Sequence, residues 1–237
     1  TLFWLAFGMG VYSGFDDDAL SFVSDMPEAL QAMYGGTGGT SAEIIGGTMF
    51  GMVAPAMLLI FTISGGSWAS TGEERSKTLA LLLANPVSRT RVLLTKAAVV
   101  ALGTVVLVFV IWAGAEGIAA VVGMDMGTQD LAAASIQMAG LGAMFGALAL
   151  AIGAGTGRAI GSGIAGGLAA VSYLVTTLLP TNPDLETVAK FTPWYLYSGP
   201  EPLRNGVDWA FLAAMLGIAA VLALYSVLAI NRRDLRE

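Results

Sequence analysis

Only one charged residue interrupts the apolar run 97–122, and it is an acid, Glu116. An acid in such a setting is a candidate for binding a proton or a substrate, because ionising it away from water is costly unless something pairs with it. Its position tempers that reading. Twenty residues separate it from Lys96, roughly 30 Å at 1.5 Å per residue, which carries Glu116 toward the far interface. Gln137 and Thr176 are polar at helical positions in two further apolar runs. They could line a pathway with Glu116, although a hydrogen bond packed between helices is the commoner use of such residues. The rest of the catalytic inventory is bare. The chain has no histidine and no cysteine, which removes the commonest general base and metal ligand, the thiol nucleophile and any disulfide framework. The methionines read as packing, not as a thioether path for a metal. No metal site is expected.

The charged chemistry is concentrated elsewhere, in TGEERSKTLALLLANPVSRTRVLLTK, residues 71–96. Five of the eleven Lys and Arg residues lie here: Arg75, Lys77, Arg89, Arg91 and Lys96. Thr71 and Glu74 have the spacing of a capping box, which predicts a helix start at Thr71. Glu73 and Lys77 stand four apart with the acid first, the favourable order for a helical ion pair. Leu79, Leu81, Leu82 and Leu83 follow, and Asn85-Pro86 predicts a stop, because proline lacks an N–H and disfavours a helical residue before it. Ser88 can cap the next helix, which carries Arg89, Arg91 and Lys96. GEERSKT ends in Lys-Thr, yet Ser76 occupies the place of the glycine that a phosphate-binding loop needs before its lysine, so it encodes no nucleotide site.

The elements that must position these residues belong to a membrane. Of 237 residues, 56% are hydrophobic and only 12% charged, too few polar groups to cover the apolar surface in water. The pattern predicts an all-α integral membrane protein, a single domain over 1–237 with six spans. The spans are expected at about 1–14 (shortened), 46–69, 97–122, 131–152, 159–179 and 208–230. A coupling loop, 70–96, holds a short amphipathic helix between spans two and three. Outer loops are expected at 15–45, 123–130 and 180–207. The first has six acids and no Lys or Arg. In the last, Trp194, Tyr195 and Tyr197 suggest an interfacial belt, and the segment is long enough for a re-entrant or surface helix. Gly153, Gly155 and Gly157 with Arg158 suggest a tight inner turn. Nine of the eleven basic residues then fall on one side: Arg75, Lys77, Arg89, Arg91, Lys96, Arg158, Arg232, Arg233 and Arg236. Basic loops mark the cytoplasmic face, so both termini are expected in the cytoplasm. The opening hydrophobic run is too short to span, which suggests a preceding cytoplasmic segment absent from this chain. Small residues four apart, at Gly10/Gly14, Gly47/Gly51, Gly142/Gly146 and Gly163/Gly167, suit close helix contacts, within one subunit or across a seam between subunits.

The central segment resembles the signature loop of ABC transporter permeases of the ABC-2 type exporter family. The residues that carry the likeness are Glu73, Glu74, Thr78, Leu79, Leu82, Leu83, Pro86, Val87, Ser88, Arg89 and Lys96. Where relatives often have glycine before the threonine, this chain has Lys77. The closing Asn-Arg-Arg-Asp-Leu, 231–235, is similar to the family's usual end. The resemblance implies a permease subunit, not catalytic by itself, that translocates a drug, antibiotic or lipid-like substrate across the cytoplasmic membrane of a prokaryote. It implies a second permease subunit, identical or not, and separate ATPase subunits that bind ATP and Mg; no cofactor is expected on this chain. Glu73, Glu74, Arg75, Lys77, Leu79, Leu82, Leu83, Pro86, Ser88 and Arg89 would form the ATPase-coupling interface. The alternatives are an ion-coupled secondary transporter, for which Glu116 is the one acid available, and a membrane scaffold that anchors a soluble ATPase complex without transport. A membrane-embedded enzyme finds almost no catalytic residues here.

Overall fold

The computed structural model describes Pro27, Gln31 and residues 46–76, 88–122, 127–182 and 185–232, with the backbone alone at 73–76 and 122. Every regular element among the described residues is helical. A π-helical turn, Met49–Val53, leads into α1 (Ala54–Ser76). Then come α2 (Arg89–Val122), α3 (Thr128–Thr156) and α4 (Gly161–Leu178), which runs into a 3-10 turn at Leu179–Thr181. Three single-turn helices follow: α5 (Glu186–Ala189), α6 (Tyr195–Ser198) and α7 (Pro202–Asn205). The last element is α8 (Trp209–Arg232). Among the described residues five stretches are long and apolar enough to cross a membrane: Gly46–Gly72, Arg89–Val121, Thr128–Thr156, Gly161–Thr181 and Trp209–Arg232. The expected first span and the loop 15–45 lie outside the described residues.

The bundle is built around α3. Its interior residues include Leu131, Met138, Leu141, Phe145 and Ala149, all essentially inaccessible. Helix α1 packs along one side of it and α8 along the other. Helices α2, α4 and α8 keep large apolar side chains on their outward faces, such as Val105, Val171 and Val221. An outward apolar surface of this extent suits lipid as the solvent.

Glycines set the closest approach. A Cβ at Gly66 of α1 would lie 2.1 Å from the carbonyl oxygen of Gly146 on α3, so the two backbones touch where neither has a side chain. At Gly142 a Cβ would meet Leu58 at 3.0 Å. The pair Gly142/Gly146 therefore serves packing within the subunit. Gly163 and Gly167 on α4 face open space. Gly157, with φ 65°, ends α3 in the left-handed conformation that glycine adopts without strain, its N–H bonded to the Gly153 carbonyl. The expected turn at 153–157 is thus narrower, for α3 stays helical through Gly155.

The charged segment also differs from expectation. Thr71 does not cap a helix start; it is buried within α1 and its hydroxyl donates to the Ser67 carbonyl at 2.9 Å. Its methyl group faces Gly153 of α3, so tertiary packing holds the residue inside the bundle. Helix α1 continues unbroken to Ser76, and α2 begins at Arg89, where the expected cap at Ser88 puts a helix start. Ser88 does cap α2, accepting the Arg91 N–H at 3.2 Å. The helix expected between them, with Lys77, Leu79, Leu82, Leu83 and Pro86, lies outside the described residues.

Gly66→Ala should lower the detergent-phase melting temperature by several degrees, since a methyl group there forces backbones apart at a cost of about 1–3 kcal/mol. Gly163→Ala, facing open space, should leave the melt unchanged. Equal melts for the two variants would contradict the close α1–α3 contact.

Candidate functional site

Polar chemistry collects at the two ends of the bundle. At the end where α1 begins, the cause is Pro55. A proline inside a helix has no N–H, and its ring clashes with the carbonyl four residues back, here Gly51. The turn before it widens into a π-helix, with the Ala54 N–H bonded to the Met49 carbonyl. Phe50 then has no backbone donor, because its π-helical partner would be the nitrogen of Pro55. The hydroxyl of Tyr197 donates to the Phe50 carbonyl instead.

That bond seats the segment 185–207 in the bundle. Tyr197 and Trp194 are 2% and 4% exposed, so they are interior groups and not the interfacial belt that the sequence suggests. Trp194 stacks edge-on against Tyr173 at 4.9 Å, and its backbone N–H donates to Ser172 Oγ at 2.7 Å. Gln137 Nε2 donates to the Leu196 carbonyl at 3.1 Å. Thr176 donates to the Ser172 carbonyl at 2.7 Å and pairs with Thr192. Gln137 and Thr176 are thus both committed to holding this segment. Burial pushes the Tyr197 phenol above its ordinary range, which keeps it a donor. At the segment's surface Lys190 and Glu186 form an ion pair at 2.9 Å, which holds the Glu186 carboxyl below and the Lys190 ammonium above their usual ranges.

Glu116 belongs to a different contact. Its Oε1 accepts the hydroxyl proton of Thr128, the first residue of α3, while its Oε2 is buried with no partner. Gln137 lies nine residues beyond Thr128, two and a half turns along α3 at 3.6 residues per turn, and so on the opposite side. The three polar candidates do not converge on one path.

The other end is basic. Arg89, Arg91 and Lys96 occupy the first turns of α2, Arg158 follows the end of α3, and Arg232 closes α8. Lys96 Nζ stands 4.2 Å over the Trp68 ring, a cation–π contact joining α1 to α2. Thr90 and Asn231 exchange hydrogen bonds at 3.2 and 2.9 Å, joining α2 to α8. Glu73, Glu74 and Arg75 are placed by backbone alone, on the last turn of α1. The basic end therefore brings together the root of the charged loop and the ends of three membrane helices.

A family model described as the C-terminal domain of the multidrug efflux system permease Rv1217c matches residues 1–230. The chain belongs to this permease family. No curated protein and no solved structure matches it. The efflux-permease family and the five apolar helices together make the chain a multi-pass membrane protein with a transport role. The sequence missed the interior role of Trp194 and Tyr197 in this permease, although Pro55 inside an apolar run and aromatics three apart were signals for it.

Tyr197→Phe should leave the Phe50 carbonyl buried and unpaired, at a cost of about 1–3 kcal/mol. We expect a lower melting temperature and faster proteolysis within 185–207, followed by mass spectrometry. In the parent protein the folded state holds the phenol proton more tightly. Its stability should therefore be flat below the ordinary phenol value of 10.0 and fall above it, and Tyr197→Phe should flatten that fall. A variant that melts and digests like the parent would contradict the latch.

Proposed function

We propose that the chain is the transmembrane permease subunit of an ATP-driven exporter of the ABC-2 type, moving drug-like or lipid-like compounds across the cytoplasmic membrane of a prokaryote. The observation that carries this reading is the efflux-permease match over residues 1–230. The motif from Glu73 to Lys96 supports the ATP-driven form, and the cluster of basic groups at one end supports a cytoplasmic orientation for that end. With a first span in 1–14, six spans would leave both termini in the cytoplasm. The working unit is two permeases with two ATPase subunits, which hold ATP and Mg.

In this mechanism the segment 73–89 contains a coupling helix that docks on the ATPase. Because Glu73 and Glu74 sit on the last turn of α1 and Arg89 on the first turn of α2, a push on the segment reaches two membrane helices at once. A packed helix transmits displacement as a near-rigid unit. The Lys96–Trp68 and Thr90–Asn231 contacts would spread that displacement to α8.

The test is purification of the detergent-solubilised protein from its host, followed by ATPase assay of what accompanies it. A co-purifying ATPase should be present, and its drug-stimulated activity should fall about tenfold or more on replacing Glu73 and Glu74 with Ala, the size expected for a lost charge-assisted contact. An ATPase-free oligomer that still transports would shift the assignment to an ion-coupled carrier.

A further inference from the structure

Helices α2 and α8 meet at the basic end while running in opposite directions. Thr90, in the first turn of α2, exchanges hydrogen bonds with Asn231, in the last turn of α8. Leu93 of α2 shares one apolar cluster with Val227 and Ile230 of α8. The residues next in sequence to these, Arg91 and Leu94 on α2 and Leu228 and Arg232 on α8, are all exposed. A step of one residue turns a helix by roughly 100°. Because the two helices are antiparallel, that step turns both away from their seam to the same side, the one that faces lipid.

Each arginine heads an apolar stripe on that side. Leu94, Leu102 and Val105 follow Arg91 at three, eleven and fourteen residues, and Leu228, Tyr225 and Val221 precede Arg232 at four, seven and eleven. Such spacings keep each set on one face of its helix, and all six side chains are exposed. Lys96, by contrast, is turned to Trp68 on α1. The acids with described side chains, Glu116, Asp130, Glu186, Glu201 and Asp208, all belong to the opposite end of the bundle. Two guanidinium groups therefore stand at the head of a double apolar track, and among the described residues no acid is near to neutralise them. An arginine placed so can lay its stem on the apolar surface and hold its head at the polar boundary.

We propose that this outward seam between α2 and α8 holds a single anionic two-chain phospholipid. Its phosphate lies between Arg91 and Arg232, where both guanidiniums donate charge-assisted hydrogen bonds. Its acyl chains run along the two stripes. A zwitterionic lipid carries an ammonium of its own, which the two cations repel, so the charge of the site favours the anionic headgroup. The bound lipid straps α2 to α8 beside the Thr90–Asn231 contact. It is a resident ligand that needs a membrane and not transport, so the inference rests neither on the cargo nor on an ATPase.

The experiment is native mass spectrometry of the full chain released from detergent, with phosphatidylglycerol and phosphatidylcholine of the same acyl chains as probes. The parent should keep a single phosphatidylglycerol and hold phosphatidylcholine severalfold more weakly. Arg91→Gln and Arg232→Gln should each weaken phosphatidylglycerol binding about fivefold, and together about twentyfold or more, with phosphatidylcholine unchanged. Arg158→Gln removes a basic group of the same end that lies on neither stripe, and should leave binding as in the parent. Phosphatidylglycerol should also raise the melting temperature of the parent by several degrees and leave that of the double variant where it was. Equal binding of the two lipids by the parent, or undiminished phosphatidylglycerol binding in the double variant, overturns the site. An equal loss in Arg158→Gln overturns it too, since general attraction to the basic end would then suffice. Displacement of the lipid by soluble glycerol phosphate would reduce the site to one for free phosphate and overturn the lipid.

Discussion

A carbonyl without a donor is hard to keep in a bundle that lipid surrounds, because no water is at hand to satisfy it. Pro55 creates such a carbonyl at Phe50, and the position of the 185–207 segment follows from how that carbonyl is satisfied. Tyr197 reaches it, Trp194 packs against Tyr173 and bonds to Ser172 on α4, and Gln137 fixes the Leu196 backbone from α3. One missing N–H thus organises a contact among four elements. The local widening is not a defect of α1. It is the socket into which a distant aromatic residue fits.

The second constraint is closeness. Gly66 and Gly146 let α1 and α3 meet backbone to backbone, and the small side chains around them, Thr62, Ser70 and Thr71, return their hydroxyls to carbonyls of their own helix. Without a hydrophobic drive between helices in lipid, such contact is a main source of cohesion. Polar and aromatic contacts add to packing near the ends of α2: Thr128 to Glu116, Lys96 to Trp68, Thr90 to Asn231. Along its length α2 packs as well, with Ile111 and Ala115 in the core and Gly103 against the Phe61 ring. Its 34 residues make a rod of roughly 50 Å at 1.5 Å per residue, longer than the hydrocarbon layer.

Apolar run length made the long helices legible in the sequence, and each run from residue 46 onward centres on one of them. The ends were less legible. Thr71 has the right neighbours for a helix cap, but α3 offers it a buried place beside Gly153, and local signals yield to that packing. Ser88 had no such competitor and caps α2 as its spacing suggests. Glu116 stood out as the only charge in its run, but its partner Thr128 lies across a chain reversal that periodicity does not reveal. Trp194 and Tyr197 were read by composition, as aromatics near a membrane surface. Their burial depends on an unpaired carbonyl about 150 residues earlier in the chain, a relation that lies in three dimensions alone.

The central placement of α3 has a consequence for how such a chain can vary. A residue on the outward face of α2, α4 or α8 answers only to lipid, and any apolar side chain of tolerable shape will serve. A residue on α3 answers to neighbours on several sides, and at Gly146 even a methyl group would crowd Thr62 at 3.1 Å. Substitutions will therefore be tolerated in a radial order, freely at the rim and hardly at the axis. Side chains that meet lipid can be exchanged at the rim with little risk to its architecture, and the outward seam between α2 and α8 is part of that rim.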